Sequence, residues 1–382
     1  MKYKKWFLDG CMALLAIFLL PTAAISHTAK YKQAILQTLQ QANQHFMNKW
    51  PDPGAVVTVK GVSRPSNLWT RAVYYEGLMA LYSIYGEKVY YDYSVRWGNS
   101  HQWGLRSGAT TRDADHQCAG QTYIDLFEIS KNELWVSAIK ASIDSMVASD
   151  KVDDWYWIDA LQMAMPVFVK LGKHYNDSRY YEKMYKLYAY TKYKQGGTGL
   201  YNPVDKLWWR DKDFIPPYKE PNGSNCYWSR GNGWVLAALV RTLQDLTVSD
   251  PHYQEYLDDY KNMCAALLPL QRKDGYWNVS LTDSSHFGGK ELTGTALFVY
   301  GYAWGINNRM LPRAKYLPSV TNAWNAMQRE AVRKDGSLAY VQGTGKEPKD
   351  GQPVNYTSVP DFEDYGLGCF LLAGVEVYKL KK

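Results

Sequence analysis

The sequence predicts an all-α protein, a six-hairpin (α/α)6 double-layered helical barrel. Two observations set the class: apolar residues recur at helical spacing almost everywhere, and strand-like alternation is nearly absent. A third sets the architecture. The loop Arg272-Lys273-Asp274-Gly275-Tyr276 is echoed 61 residues later by Arg333-Lys334-Asp335-Gly336-Ser337, and about 60 residues is one sixth of the chain and the length of two helices with their loops. Six stacked hairpins of that size close into a barrel whose inner helices line a funnel and whose loops on one rim form a site.

The helical pattern starts with Ile35, Leu39, Ala42 and Phe46, at steps of four, three and four. Caps and breakers then divide the chain into twelve segments, 31–48, 69–85, 88–104, 115–129, 131–148, 154–172, 177–194, 230–248, 251–271, 290–308, 311–332 and 361–380. The loops between them are rich in Gly, Asp and aromatic residues. No Pro/Gly/Ser-rich linker or change in composition breaks residues 25–382, which predicts a single domain.

Residues 1–24 read as an export signal. Lys2, Lys4 and Lys5 precede the apolar stretch Met12 to Leu20, and small residues follow at Ala23 and Ala24. That stretch is too short to cross a bilayer, which takes roughly 20 apolar residues. Cys11 stands before the stretch rather than after it, a poor place for a lipid anchor. The expectation is a bacterial periplasmic protein with no membrane insertion. The net charge of +7 is mild; it suits an acidic oligosaccharide and lacks the clustered basic charge of a nucleic-acid binder. Cys118, Cys226, Cys264 and Cys369 are widely spaced among apolar neighbours, which reads as buried free thiols rather than bridges. The informative excess is aromatic, 15 Trp and 32 Tyr, since flat rings with a polar edge stack on sugar faces as well as filling a core.

Three segments carry chemistry. In Lys151 to Pro166, Asp153 or Asp154 reads as a helix N-cap. Asp159 is expected a turn or more inside that helix, where Asp is a poor helix former and Trp155, Tyr156 and Trp157 stand close by. A carboxylate desolvated against indoles is protonated nearer to neutral pH, which suits a general acid. In Asp113 to Tyr123 an acidic loop enters a helix, with Asp113 or Asp115 as its cap. His116 has no second ligand at metal spacing, so neither metal nor cofactor is expected. In Tyr227 to Trp234, two glycines release the backbone at a helix entrance. Arg230 and Trp234, one turn apart, then project from one rim, where a guanidinium can fork a carboxylate while an indole packs a ring.

Together these segments resemble the unsaturated rhamnogalacturonyl hydrolases of glycoside hydrolase family 105, relatives of the unsaturated glucuronyl hydrolases of family 88. The likeness rests on Asp115-His116 with Gly120, on Trp157-x-Asp159 with Met163 and Pro166, and above all on Trp228-x-Arg230-Gly231-Asn232-Gly233-Trp234. It extends to Thr293-Gly294-Thr295 and Asp364-Tyr365-Gly366. The resemblance implies the six-hairpin barrel, a catalytic carboxylate at Asp159, a second at Asp115, and a uronate subsite of Trp157, Arg230 and Trp234, flanked by His116 and Trp228. It also implies hydration of a C4=C5 vinyl ether, which releases the unsaturated uronate, with unsaturated galacturonate on rhamnose as the family default. After Gly199 the chain departs from the pattern: relatives often carry a histidine there, and this chain has Leu207-Trp208-Trp209-Arg210-Asp211. The rival readings are a polysaccharide lyase or other glycosidase on the same barrel, and a periplasmic oligosaccharide-binding protein without catalysis.

Overall fold

A computed structural model describes residues 19–381 apart from Lys60 and Asp361. Most of the expected export signal, residues 1–18, lies outside the described residues, as does Cys11. The helices are α1 (Leu19–Lys49), α2 (Trp69–Tyr85), α3 (Lys88–Ser100), α4 (Ala114–Gln117), α5 (Ala119–Ser130), α6 (Ser137–Val147) and α7 (Asp159–Tyr175). They continue as α8 (Ser178–Tyr193), α9 (Ser229–Asp245), α10 (Tyr253–Leu267), α11 (Leu292–Asn307), α12 (Arg313–Glu330) and α13 (Asp364–Lys379). Cys118 keeps helical dihedrals, so α4 and α5 act as one unit and the twelve predicted segments are all present. Two small antiparallel hairpins accompany them, β1 (Val57–Val59) with β2 (Val62–Arg64), and β3 (Tyr201–Asn202) with β4 (Leu207–Trp208).

Burial separates two layers. Every residue of α9 from Ser229 to Leu243 and of α11 from Leu292 to Ile306 is buried, the mark of a helix enclosed on all sides. In α8 the buried residues are Tyr180, Lys183, Met184, Leu187, Tyr188, Thr191 and Lys192, a single stripe at steps of three and four. The inner ring runs α2, α4/α5, α7, α9, α11, α13, and α13 closes back onto α2. Outside it, α1 packs on α13, α3 on α2, α8 on α7, α10 on α9 and α12 on α11. Close approach within the ring has a visible requirement: a Cβ at Gly294 of α11 would stand 2.1 Å from Ser229 Oγ of α9.

The repeated loop is one turn built twice. Arg272 N donates to Tyr276 O at 2.8 Å and Arg333 N to Ser337 O at 2.9 Å. Asp274 and Asp335 each accept from the backbone N–H two residues on, at 3.2 and 3.0 Å. Gly275 and Gly336 take φ of 95° and 89°, a conformation open to glycine at little cost. A short bridge accompanies each turn: Trp277 pairs with Glu291, the cap residue of α11, and Val332 pairs with Leu338 across the second turn.

Two expectations need correction. The helix expected from 154 begins at Asp159, with Ile158 in the cap position, so Asp159 opens the helix instead of lying a turn within it. The preceding residues are held by a strand-like neighbour: Ile158 N donates to Arg210 O at 2.9 Å and Trp157 bridges Asp211. Neither Asp153 nor Asp154 caps α7. Asp154 is buried and paired with Arg112 at 2.6 Å, while Asp153 pairs with Lys151 at 2.9 Å. The segment expected as 131–148 divides into a 3-10 turn, Glu133–Trp135, and α6. All four described cysteines are buried and free, as their neighbours predict.

Candidate active site

The inner helices bring their first turns to one rim. Trp69 opens α2, Asp115 lies in α4, Asp159 opens α7, Arg230 is the second residue of α9 and Tyr365 the second of α13. A cavity of about 50 Å³ lies between them, lined by Trp69, Asp115, Trp157, Asp159, Met163, Arg210, Trp228, Arg230, Trp234 and Gly345. That is well below the roughly 300 Å³ at which ordinary ligand sites begin, so a sugar ring enters only with movement of the lining side chains. Five side chains singled out in the sequence by the resemblance as uronate-facing or catalytic therefore meet in one place, Asp115, Trp157, Asp159, Arg230 and Trp234, and Trp228 joins them. His116 does not line the cavity; its Nδ1 lies 3.2 Å from Thr111 Oγ1.

Arg230, Asn232 and Trp234 of the string each have a visible task. Arg230 is fully buried and donates to Gln342 O and Gly343 O, both at 2.8 Å, which pins the 342–345 loop over the cavity. Asn232 grips the β4 backbone twice, accepting from Trp208 N at 2.9 Å and donating to Trp208 O at 3.0 Å. That grip fixes the strand two residues before Arg210. Trp234 meets Trp69 edge to face at 6.3 Å, and Trp69 lies 5.1 Å from Tyr365. Trp228 Nε1 donates to Gln342 Oε1 at 2.9 Å.

The two carboxylates differ. Asp159 is 8 % exposed; its Oδ2 accepts from Arg210 Nε at 3.0 Å, and its buried Oδ1 has no hydrogen-bond partner. Burial raises its proton affinity above the ordinary carboxylate range, while Arg210 and Arg230 pull the other way. Asp115 is positioned by Asp113, which caps α4 by accepting from Asp115 N at 2.9 Å. Of the two candidates for that cap, Asp113 takes the job. Burial, then the charges of Asp113 and Asp159, push the Asp115 carboxyl up to about 7. An acid with a proton near neutral pH thus stands beside a carboxylate with one open oxygen, in a dry aromatic pocket. That arrangement can deliver and recover a proton at one face of a bound sugar.

Four lining residues, Trp69, Met163, Arg210 and Gly345, were not assigned a role from the sequence. Arg210 lies in the segment that departs from the family pattern, and only the fold shows that it reaches Asp159. Trp69 was visible as a helix start, and Gly345 lies in a long loop without periodicity. Among the described residues, no group of three or more His, Cys, Asp or Glu can hold a metal ion. No described helix is long and apolar enough to cross a membrane.

Comparison with known proteins bears on the fold and the family. Residues 27–381 match the sequence profile described as Glycosyl Hydrolase Family 88. An unsaturated 3S-rhamnoglycuronyl hydrolase from Formosa agariphila is 38% identical over 248 residues, 64% of this chain and 62% of the relative. One of the same name from an Alteromonas species is 34% identical over 223 residues, 58% of this chain and 51% of the relative. The matches thus span between half and two thirds of those relatives. The solved structure of a glycosyl hydrolase family 88 protein from Bacteroides vulgatus superposes with a TM-score of 0.82 at 31% identity, covering 91% of this chain and 99% of that one. A structure described as a polysaccharide lyase gives 0.82 at 30% identity, covering 91% and 97%. A family 105 glycoside hydrolase from C. acetobutylicum shares the fold at 0.69 and 19% identity, covering 90% and 99%. With helical-barrel glycosidases as its neighbours and a family match over nearly its whole length, this chain belongs to glycosyl hydrolase family 88.

Proposed function

We propose that the protein removes a 4,5-unsaturated uronic acid from the non-reducing end of oligosaccharides left by polysaccharide lyases. The observation that carries this reading is Asp159, with one oxygen unpartnered in an aromatic cavity beside Arg210 and the carboxyl of Asp115. The C4=C5 bond of such a uronate is a vinyl ether conjugated to its carboxylate. Asp159 protonates C4, the π electrons form the new C4–H bond, and positive charge develops at C5. Water adds at C5 and gives its proton back to the carboxylate pair. The hemiketal then opens and expels the remaining sugar. Because the attack is at C5, the spacing rule that relates two carboxylates to retention or inversion does not apply.

In this reading Trp157, Trp228, Trp234 and Trp69 wall the ring and exclude water, and Asp115 shares the proton with Asp159 or holds the sugar hydroxyls. Rhamnose as the second sugar is supported by the names of the curated relatives. Export to the periplasm is part of the same proposal and rests on Lys2, Lys4 and Lys5 before the apolar stretch Met12 to Leu20. The test is loss of ultraviolet absorbance from unsaturated uronyl-rhamnose, set beside unsaturated disaccharides with other second sugars. Asp159→Asn should slow that loss by at least about 10²-fold with the fold intact. A folded Asp159→Asn variant of near wild-type speed removes the assignment.

A second reading has one observation in its favour, the polysaccharide lyase among the similar structures. A lyase creates the absorbing double bond and a hydrolase of this kind destroys it. The sign of the absorbance change on polymer and on unsaturated disaccharide separates the two.

A further inference from the structure

We propose that Arg210 is an exchangeable partner: it holds the Asp159 carboxylate in the free enzyme, and the substrate's own uronate takes it over, leaving Asp159 to receive the proton it donates. The inference rests on the reading of the site as an unsaturated-uronate site and adds how the acid is armed.

The two arginines of the cavity are not equivalent. Arg230 is fully buried, and its two terminal nitrogens are bound to Gln342 O and Gly343 O. Turning it toward a ligand would orphan the buried Gly343 carbonyl, at a cost of about 1–3 kcal/mol, and leave Gln342 O with Tyr365 as its remaining donor. The sequence-based expectation of a free fork at Arg230 therefore passes to Arg210. Arg210 spans two carboxylates, Nε to Asp159 Oδ2 at 3.0 Å and one terminal nitrogen to Asp211 Oδ2 at 2.7 Å. Its other terminal nitrogen makes no hydrogen bond among the described residues, and its side chain keeps 18 % exposure on the cavity. The backbone beneath is fixed, since Ile158 N donates to Arg210 O and Asn232 clamps Trp208. Only the side chain is left to move, and Asp211 steadies it from the far side. Asp211 itself is anchored, its Oδ1 accepting from Asp213 N at 2.9 Å.

The charges facing Asp159 are Arg210 and Asp211 from the loop and Arg230 from α9, with Asp115 on α4 close enough for the two carboxylates to feel each other. Asp113 and Arg64 act on Asp115 from its other side. The near set of Asp159, Asp211, Arg210 and Arg230 is balanced while both carboxylates are ionised. A uronate adds one negative charge in a low-dielectric pocket, and one proton restores the balance. Asp159 Oδ1, buried and without a hydrogen-bond partner, is the acceptor for it, and Asp115 can supply it. The geometry of the reaction fits: the carboxylate sits on C5, so a guanidinium holding it lies beside the acid that must reach C4.

The experiment compares kcat/KM, which reports the free enzyme, with kcat, which reports the complex, across pH 5 to 9. The substrates are an unsaturated uronyl disaccharide and its methyl ester, whose neutral group cannot take Arg210. On the acid, the basic limb of kcat should lie about one pH unit or more above that of kcat/KM, the lower end of what releasing a paired cation does to a carboxylate. On the ester the two limbs should coincide. Arg210→Gln should move the kcat/KM limb on the acid upward, because its Asp159 is never paired, while Arg210→Lys stays with wild type. A merely structural Arg210 would lower the rate and leave the limbs in place. Coincident limbs on the acid in wild type, or equal gaps on acid and ester, overturn the proposal, and neither needs a folded variant. If wild type leaves the absorbance of every unsaturated disaccharide unchanged, the reaction assignment itself has failed and the exchange falls with it.

Discussion

Two of the barrel's buried acid clusters, one at the rim and one farther along its axis, are built to opposite ends. At the rim, Asp159 keeps one oxygen without a partner and faces four tryptophans. Two turns into α2, Glu76 is also buried and is pushed up to about 7, chiefly by desolvation. Both of its oxygens are occupied, however: Gln162 Nε2 donates at 2.8 Å and Cys118 Sγ at 3.4 Å, with Arg241 3.7 Å away. A raised proton affinity is common to the two clusters and so does not mark the site. What marks it is a buried acceptor left without a hydrogen-bond partner on a residue that lines an aromatic cavity. Glu76 reads as an internal tie among α2, α5, α7 and α9.

That contrast can be broken from either side. Asp159→Asn should cost 10²-fold to 10⁴-fold in kcat, the range for a lost general acid, with a melting temperature close to wild type. Glu76→Ala should do the reverse. It strands Arg241 in the core and should cost about 3 kcal/mol in denaturant unfolding, while kcat of the folded fraction stays within a few-fold. If Glu76→Ala abolishes turnover in fully folded protein, the division of labour fails.

The titration of Glu76 sharpens the same point. Its folded value, about 7, lies above its ordinary value of 4.5, so burial favours the protonated form. Stability from this group is present below about pH 4.5 and is lost as pH rises through 7. Melting temperature should therefore fall across that window, and Glu76→Gln should flatten the fall. Smaller effects follow for the parts that hold the rim together. Gly294→Ala should cost about 1–3 kcal/mol, because the added carbon meets Ser229 Oγ at 2.1 Å. Asn232→Ala frees Trp208 and should lower kcat about tenfold through Arg210, with a stability loss of about 1 kcal/mol that chemical unfolding would resolve.

The helical frame was legible because each helix carries its own evidence. The span 69–85 was read to the residue, and the turn at 272 was matched to the turn at 333 by local chemistry alone. Errors arise where distant chain intervenes. The residues before Asp159 have apolar and capping signals that suit a helix, yet their backbone is taken by Arg210 and Asp211, some fifty positions away. For the same reason the sequence could point to Asp159 and not to its partner: the Asp159–Arg210 contact exists only once β4 lies beside the start of α7. Likewise, Arg230 was visible as a charge in the right string, but its binding to Gln342 and Gly343 depends on a loop of no periodicity.

The ring closes between the last inner helix and the first, where Gly368 of α13 abuts Val73 of α2 and Arg71 is paired with Asp364. Tyr365, on that closing helix, donates to Gln342 O and so braces the carbonyl that Arg230 also binds. A nascent chain that has completed five hairpins would already hold both acids and Arg230, yet would lack the 342–345 loop above them and the helix that braces it. Competence for turnover then arrives in one step when the seam is sealed, which makes activity a faithful reporter of completed assembly.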